Sequence, residues 1–319
     1  MIRVLFTVLA LSVGASVLAD DKTIKFPNGD LYVGRMQDGM RNGRGVYTWA
    51  NGNRYEGEFL NDSLQGTGTY RWKDGRVYVG AFVNDRREGQ GELTWPNGDR
   101  YVGRFQSNIP NGEGTFFWVN RDRYTGTFVN GERTGSGTFT WASGDQYSGD
   151  FVNGVLQGQG TFQWKDGRRF EGHFERGVKT GHGRFEWVNG NRYEGEFSND
   201  ARHGLGRFFW RDGTVYQGQF ANNRMHGYGV KLLPDSSREL QRWYEGTLQE
   251  SRPVTLDARC HLVIDDEEWV FSNNRCVNGL AHGSGLAIHP LGRRIVTGGV
   301  FVLGHMIQGT FVPLQPEAG

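Results

Sequence analysis

Proline is scarce, 8 in 319 residues, so the 50 glycines belong neither to a collagen strand nor to a Pro-rich linker. Charge of one sign is also missing: 36 Lys and Arg stand against 35 Asp and Glu, with no basic run of five or more. A sequence-independent grip on nucleic acid needs clustered cations, and so does a polybasic membrane anchor; neither is supported. After the N-terminus no apolar run approaches the ~20 residues that span a bilayer. Catalytic signatures are absent as well. There is no Gly-x-Ser-x-Gly elbow, no His-Glu-x-x-His, and no Gly-Lys-Ser/Thr after Gly-rich stretches such as Gly112-Glu-Gly114. Ser284 sits in Gly283-Ser-Gly285, a repeat position rather than a nucleophile motif. The expectation is a non-enzyme that holds no cofactor and no metal.

What is present starts with an export signal. Arg3 is a short positive region, Val4 to Val13 is mostly apolar, and Val17-Leu18-Ala19 is a small-residue cleavage site. Residues 1–19 therefore read as a signal peptide, with Asp20 the mature start and a periplasmic or secreted destination. The alternative is an uncleaved anchor. The two cysteines, Cys260 and Cys276, suggest a disulfide in an exported chain; two buried free thiols are the other reading.

Aromatics make up 13% of the chain, and they recur. Tyr32, Tyr55, Tyr78, Tyr101, Tyr124, Tyr147, Phe170, Tyr193 and Tyr216 are each 23 residues from the last. Gly follows two positions on, Phe four (Met36 in the first unit), then a Gly-x-Gly pair such as Gly66/Gly68, then Trp such as Trp72. Within each unit the local period is two: Tyr55, Gly57 and Phe59 share one face of a strand, Glu56 and Glu58 the other. Asn61-Asp62 and Asn130-Gly131 mark one set of turns, Asn51-Gly52 and Asp74-Gly75 a second, and positive φ at both central residues of a type I′ turn explains the preference. Each unit is thus one β-hairpin. Glycine opposite an aromatic ring predicts rings that cover backbone.

Units of the form Tyr55-Glu-Gly57-Glu-Phe59, then Gly66-Thr-Gly68-Thr-Tyr70-Arg-Trp72-Lys-Asp74-Gly75, resemble the MORN-repeat family, over about residues 26 to 230. The chain looks like an exported, bacterial-type member. The resemblance implies an all-β fold, an elongated twisted antiparallel sheet of stacked 23-residue hairpins, and a role in scaffolding, self-association or peripheral membrane attachment. Two irregularities stand out. Arg121 takes the place of a turn glycine, and after Gly229 the phase is expected to break over Leu232–Arg242, resuming late at Tyr244-Glu-Gly246.

The expected domains are the signal peptide 1–19, the repeat array 20–248 and a small C-terminal β cap 249–319, built from strands around the acidic turn Asp265-Asp266-Glu267 and from a degenerate unit at Gly283-Ser-Gly285, His289 and Gly292. Arrays need such caps to cover an open edge and an exposed ring layer. Most rings should pack on each other as core. If a groove stays partly open, Tyr101, Trp118, Tyr124, Trp141, Tyr147 and Trp164 are the candidates to line it. His203 and His226 hold equivalent positions, roughly 10 Å apart, too far to share a metal. The acidic turn lacks the ligand spacing of a calcium loop. The reading that results is a non-enzymatic scaffold binding a protein partner or itself. Peripheral lipid or cell-envelope glycan binding is one alternative, and enzyme activity in residues 249–319 another.

Overall fold

The computed structural model describes residues 21–253, 260–271, 276–278, 280–289 and 294–313, and every regular element among them is a β-strand. The segment expected to be the signal peptide lies outside the described residues. The chain divides after Glu132 into two compact units.

In the first unit a short strand, Lys22–Lys25, precedes an alternation of seven-residue strands such as Arg54–Leu60 and nine-residue strands such as Ser63–Arg71. Each pairs antiparallel with the next strand in the chain. The opening strand belongs to the array too: Phe26 and Gly29 take the Trp and turn-Gly places one period before Trp49 and Gly52, with the same closing hydrogen bonds.

Two turn chemistries join the strands. From the seven-residue to the nine-residue strand the turn is type I′, with Asn61 and Asp62 at φ 46° and 69°. The return turns were expected to match, and they differ. In Trp72–Arg76 the Gly75 amide donates to the Trp72 carbonyl at 3.0 Å, and the Trp72 amide to the Arg76 carbonyl at 2.9 Å. Gly75 has φ 94°, while Asp74 keeps negative φ. This is a type I turn closed by a glycine bulge. The Asx residue is selected because its side chain binds backbone two residues on, as Asp74 accepts the Arg76 amide at 3.1 Å.

The register accounts for the glycines. Tyr55 pairs with Tyr70 and Gly57 with Gly68; the register then shifts and Glu58 faces Gln65. Gly66 and Thr67 are left over as a bulge, with Gly66 at φ 63°. Gly68 serves a different end. A Cβ there would come within 2.5 Å of Tyr55 Cζ, so the ring lies directly on the backbone of the paired strand. The Tyr55 hydroxyl then donates to the Glu58 carbonyl at 3.0 Å.

In the second unit the same register runs from Val155–Gln163 to Arg224–Leu232. The expected phase break does not occur. Leu233–Ser237 closes the usual return turn, with Ser236 at φ 68° in the glycine place, and Arg238–Tyr244 pairs in frame. Trp243 holds the Phe position and packs on Tyr216 at 6.3 Å. Glu239 and Gln241 replace the Tyr and Gly. With no ring to cover, the space takes a side chain instead: Gln241 is buried and accepts the Trp243 indole N–H at 3.1 Å. Tyr244-Glu245-Gly246, which mimics a repeat start, is a strand end and a type I′ turn.

The expected boundary at 248/249 falls inside the strand Thr247–Pro253, which pairs with Arg238–Tyr244. Beyond it, Val270–Phe271, Gly283–Ile288, Arg294–Val302 and His305–Pro313 form a four-stranded antiparallel sheet. Gly285 pairs with Gly299, and a Cβ on Gly299 would come within 2.6 Å of Phe301 Cζ; the ring-on-glycine device survives in the degenerate unit. Two short hairpins complete this region, one turning at Asp265 and Asp266 with φ 54° and 62°.

Candidate binding surfaces

The face that carries Tyr, Gly, Phe and Trp closes on itself. Tyr55 meets Phe59 of its own strand edge-on at 5.2 Å and Phe82 of the following repeat at 5.1 Å. The same zipper passes through Tyr101, between Phe105 at 5.2 Å and Phe128 at 5.0 Å, and through Tyr147, between Phe151 at 5.2 Å and Phe174 at 5.1 Å. Edge-to-face geometry satisfies the ring quadrupoles and adds about 1 kcal/mol per pair to area burial. A second ladder runs beside it: Phe116–Trp118 at 4.4 Å, Trp141–Phe162 at 5.1 Å, Phe162–Trp164 at 4.5 Å, all tilted.

The six candidate groove residues therefore separate by type. Tyr101, Tyr124 and Tyr147 are 0% exposed and belong to the core. Trp118 of the first unit and Trp141 and Trp164 of the second are half-buried, each at the rim of its own unit's ring layer.

Sequence reading missed what fills the space between the ladders. Arg87 lies over Trp72 at 5.3 Å, Tyr78 at 5.6 Å and Phe105 at 5.5 Å. Arg202 lies over Trp187, Tyr193, Phe208 and Phe220 at 5.4 to 5.7 Å. Arg41, Arg133 and Lys179 occupy the same repeat position over their own rings. Burial pulls the Arg87 and Arg202 guanidinium groups below their ordinary range. Nη1 of Arg87 is buried with no hydrogen-bond partner; the ring faces serve in place of one. The signal was legible: the same repeat place carries a cation at Arg41, Arg87, Arg133, Lys179 and Arg202, interrupted by Leu64, Pro110 and Leu156.

The opposite face is polar and variable. In the second unit its central lane reads Glu171, Arg184, Glu194 and Arg207 on adjacent strands, an alternation of sign beside a groove of about 600 Å³. Arg192 pairs with Glu194 at 3.0 Å and Arg169 with Glu171 at 2.7 Å, so these charges are compensated locally. Farther along, the same lane turns apolar at Val230 and Leu240, and there the C-terminal sheet packs on it through Ile288 and Ile295. The expected cap is thus seated on the outward face, where the lane has lost its charges. A cleft of about 450 Å³ remains beside this contact, between Tyr228, Arg242 and Ser284.

In the C-terminal region Glu267 of the acidic turn receives a hydrogen bond from Arg294 at 2.7 Å and lies 3.1 Å from His289 Nε2. His289 is buried against Trp269. His226 lies near the start of the strand Arg224–Leu232, its Nδ1 accepting the Glu245 amide at 3.4 Å. Among the described residues no group of three or more His, Cys, Asp or Glu is placed to hold a metal. Cys260 is buried in the C-terminal core, while the side chain of Cys276 lies outside the described residues.

Comparison with known proteins adds the family. A model of the MORN repeat matches nine consecutive segments, from 32–54 through 216–238. No curated protein matches. Among solved structures, the chain is similar to the SAS-4 (dCPAP) TCP domain of Drosophila melanogaster, in complex with a Proline Rich Motif of Ana2, at 16% identity. That likeness covers 48% of this chain and 83% of that one, with a TM-score of 0.33. The TCP10 domain of Danio rerio CPAP is 14% identical over 72% of this chain and 99% of its own, with a TM-score of 0.25. Likenesses at these scores carry no argument about function.

Proposed function

Because the chain belongs to the MORN-repeat family, we propose that it is an exported, non-enzymatic scaffold that binds a protein partner or a second copy of itself. The observation behind this reading is the division of labour between the two faces. One face repeats nearly the same rings and glycines from unit to unit and is consumed by packing. The other changes residue by residue while its backbone stays constant, which is the arrangement of a binding surface on a repeat frame. The half-buried Trp141 and Trp164 of the second unit offer a second place for a partner to touch.

The test places a photo-reactive residue at Val129, on the outward face, and another at Trp141, on the rim, in the chain expressed in its own cell. Polypeptide adducts at either position support the reading, and the position tells which face is used. Adducts only to lipid or glycan would replace it with the peripheral-binder reading. N-terminal sequencing of the recovered protein tests export: a start at Asp20 is expected, and an intact Met1 end would overturn cleavage.

A further inference from the structure

One strand breaks the rule of the outward face. In Val77–Val83 the residues turned away from the rings are Val77, Val79, Ala81 and Val83, all apolar. In each other described seven-residue strand of the repeats at least two of the four equivalent positions are polar: Glu56 and Glu58, Arg100 and Arg104, Glu171 and His173. Val79 is 46% and Val83 44% exposed. A strand apolar on both faces has a use only if both faces are covered, and here the rings cover only one.

The molecule shows what such a place receives. Where the central lane turns apolar at Val230 and Leu240, an aliphatic sheet face packs against it. Val79 holds the equivalent place in the first unit, since its repeat position is that of Glu56 and Glu171. From this we infer that the Val77–Val83 strip is a self-association surface, on which a second copy of the chain seats its own Val77–Val83 strip face to face. This rests on the scaffold reading and deepens it.

The flanks favour a second copy and fix its orientation. On one side the strip is bordered by Thr69 and Arg71, on the other by Arg86, Glu92 and Thr94, with Glu92 also 3.3 Å from Arg100. A two-fold axis running along the strand lays Val79 on Val79 and brings the Arg71 side of each copy over the Glu92 side of the other. A two-fold across the strands would instead set like flank on like flank. The first arrangement is the aligned sheet packing that twisted sheets adopt, and it is self-complementary, as an isologous contact must be. The strip is roughly 24 Å long and about 10 Å wide, well under the ~800 Å² per partner of a standard interface. The dimer is therefore weak, monomeric near ~1 µM and assembling toward several hundred µM.

Sedimentation equilibrium of the full chain across that range tests this, with Val79→Glu as the variant. Glu stands at this position in other repeats, so the change leaves the fold intact, which the thermal midpoint verifies. The expected result is a mass rising from that of the monomer toward its double, with Val79→Glu moving the midpoint at least tenfold upward. Oxidised Val79→Cys should also give a cross-linked dimer that the parent chain does not. A dimer unaffected by Val79→Glu and uncross-linked at residue 79 would overturn the strip while leaving self-association standing. A monomer at every concentration would overturn both the strip and self-association, leaving an external partner as the scaffold's target.

Discussion

A single methyl group at Gly68 would have to share space with the Tyr55 ring, which is 0% exposed and held on its far side by Phe59 and Phe82. The ring cannot retreat, and Gly68 has no positive φ, so the cost of Gly68→Ala is steric alone. We expect destabilisation of about 1–3 kcal/mol or somewhat more, as for overpacked cores, read as a lower urea midpoint with an unchanged slope. A neutral result would mean that the ring does not lie on the backbone. Arg121 presents the opposite case. Its φ of 76° is one that L side chains resist, at about 1–2 kcal/mol, while glycine gives back about 0.5–1 kcal/mol in chain entropy. Arg121→Gly should therefore stabilise the chain by roughly 0.5–1 kcal/mol, and a lower melting temperature would sink that account.

Among elements, the contact between the last strands of the array and the C-terminal sheet rests on few side chains. Leu240 is buried among Val230, Ile288 and Ile295, facing a lane that is charged in earlier repeats. Leu240→Ala should cost about 2–4 kcal/mol and act locally. Hydrogen exchange should quicken in Gly283–Ile288 and Arg294–Val302 and stay slow in the strands before Val215. We also propose that Cys260 and Cys276 are bonded. Reduction should then cost the C-terminal region about 3 kcal/mol, and two free thiols by mass spectrometry without reductant would refute it. The elements were largely legible in the sequence, because a period of 23 with internal period two leaves little choice of strand, face or register. Three things were not. Asn-Gly and Asp-Gly suit both a type I′ turn and a type I turn with a glycine bulge, and only the flanking hydrogen bonds at Trp72 separate them. The frame at Glu239–Trp243 was hidden because the marker residues had been exchanged in compensation: the Tyr lost its ring and the Gly gained a side chain together. The cations over the rings were hidden for a simpler reason: Leu64, Pro110 and Leu156 share their repeat place, so no single residue type marks it.

On the scale of the whole molecule, the tyrosine zipper makes the fold sensitive to alkali. Burial pushes the hydroxyls of Tyr32, Tyr78 and Tyr147 up to about 12, and those of Tyr55, Tyr101 and Tyr193 higher still. In the unfolded chain a tyrosine ionises near 10. The native state therefore holds these protons longer than the unfolded state does. The stability they contribute is fully present below about pH 10 and is lost as pH rises from there through about 12, because the unfolded state gains charge that the native state refuses. Since the same ring recurs in nearly every repeat, the losses add over a narrow interval. Absorbance at 295 nm should then show ionisation of the zipper tyrosines only together with loss of the β-sheet circular dichroism, both steep and both above pH 10. The reverse order, with all tyrosines ionising smoothly near pH 10 while the β-sheet signal persists, would show that the hydroxyls are open to water and that the aromatic face is a groove after all.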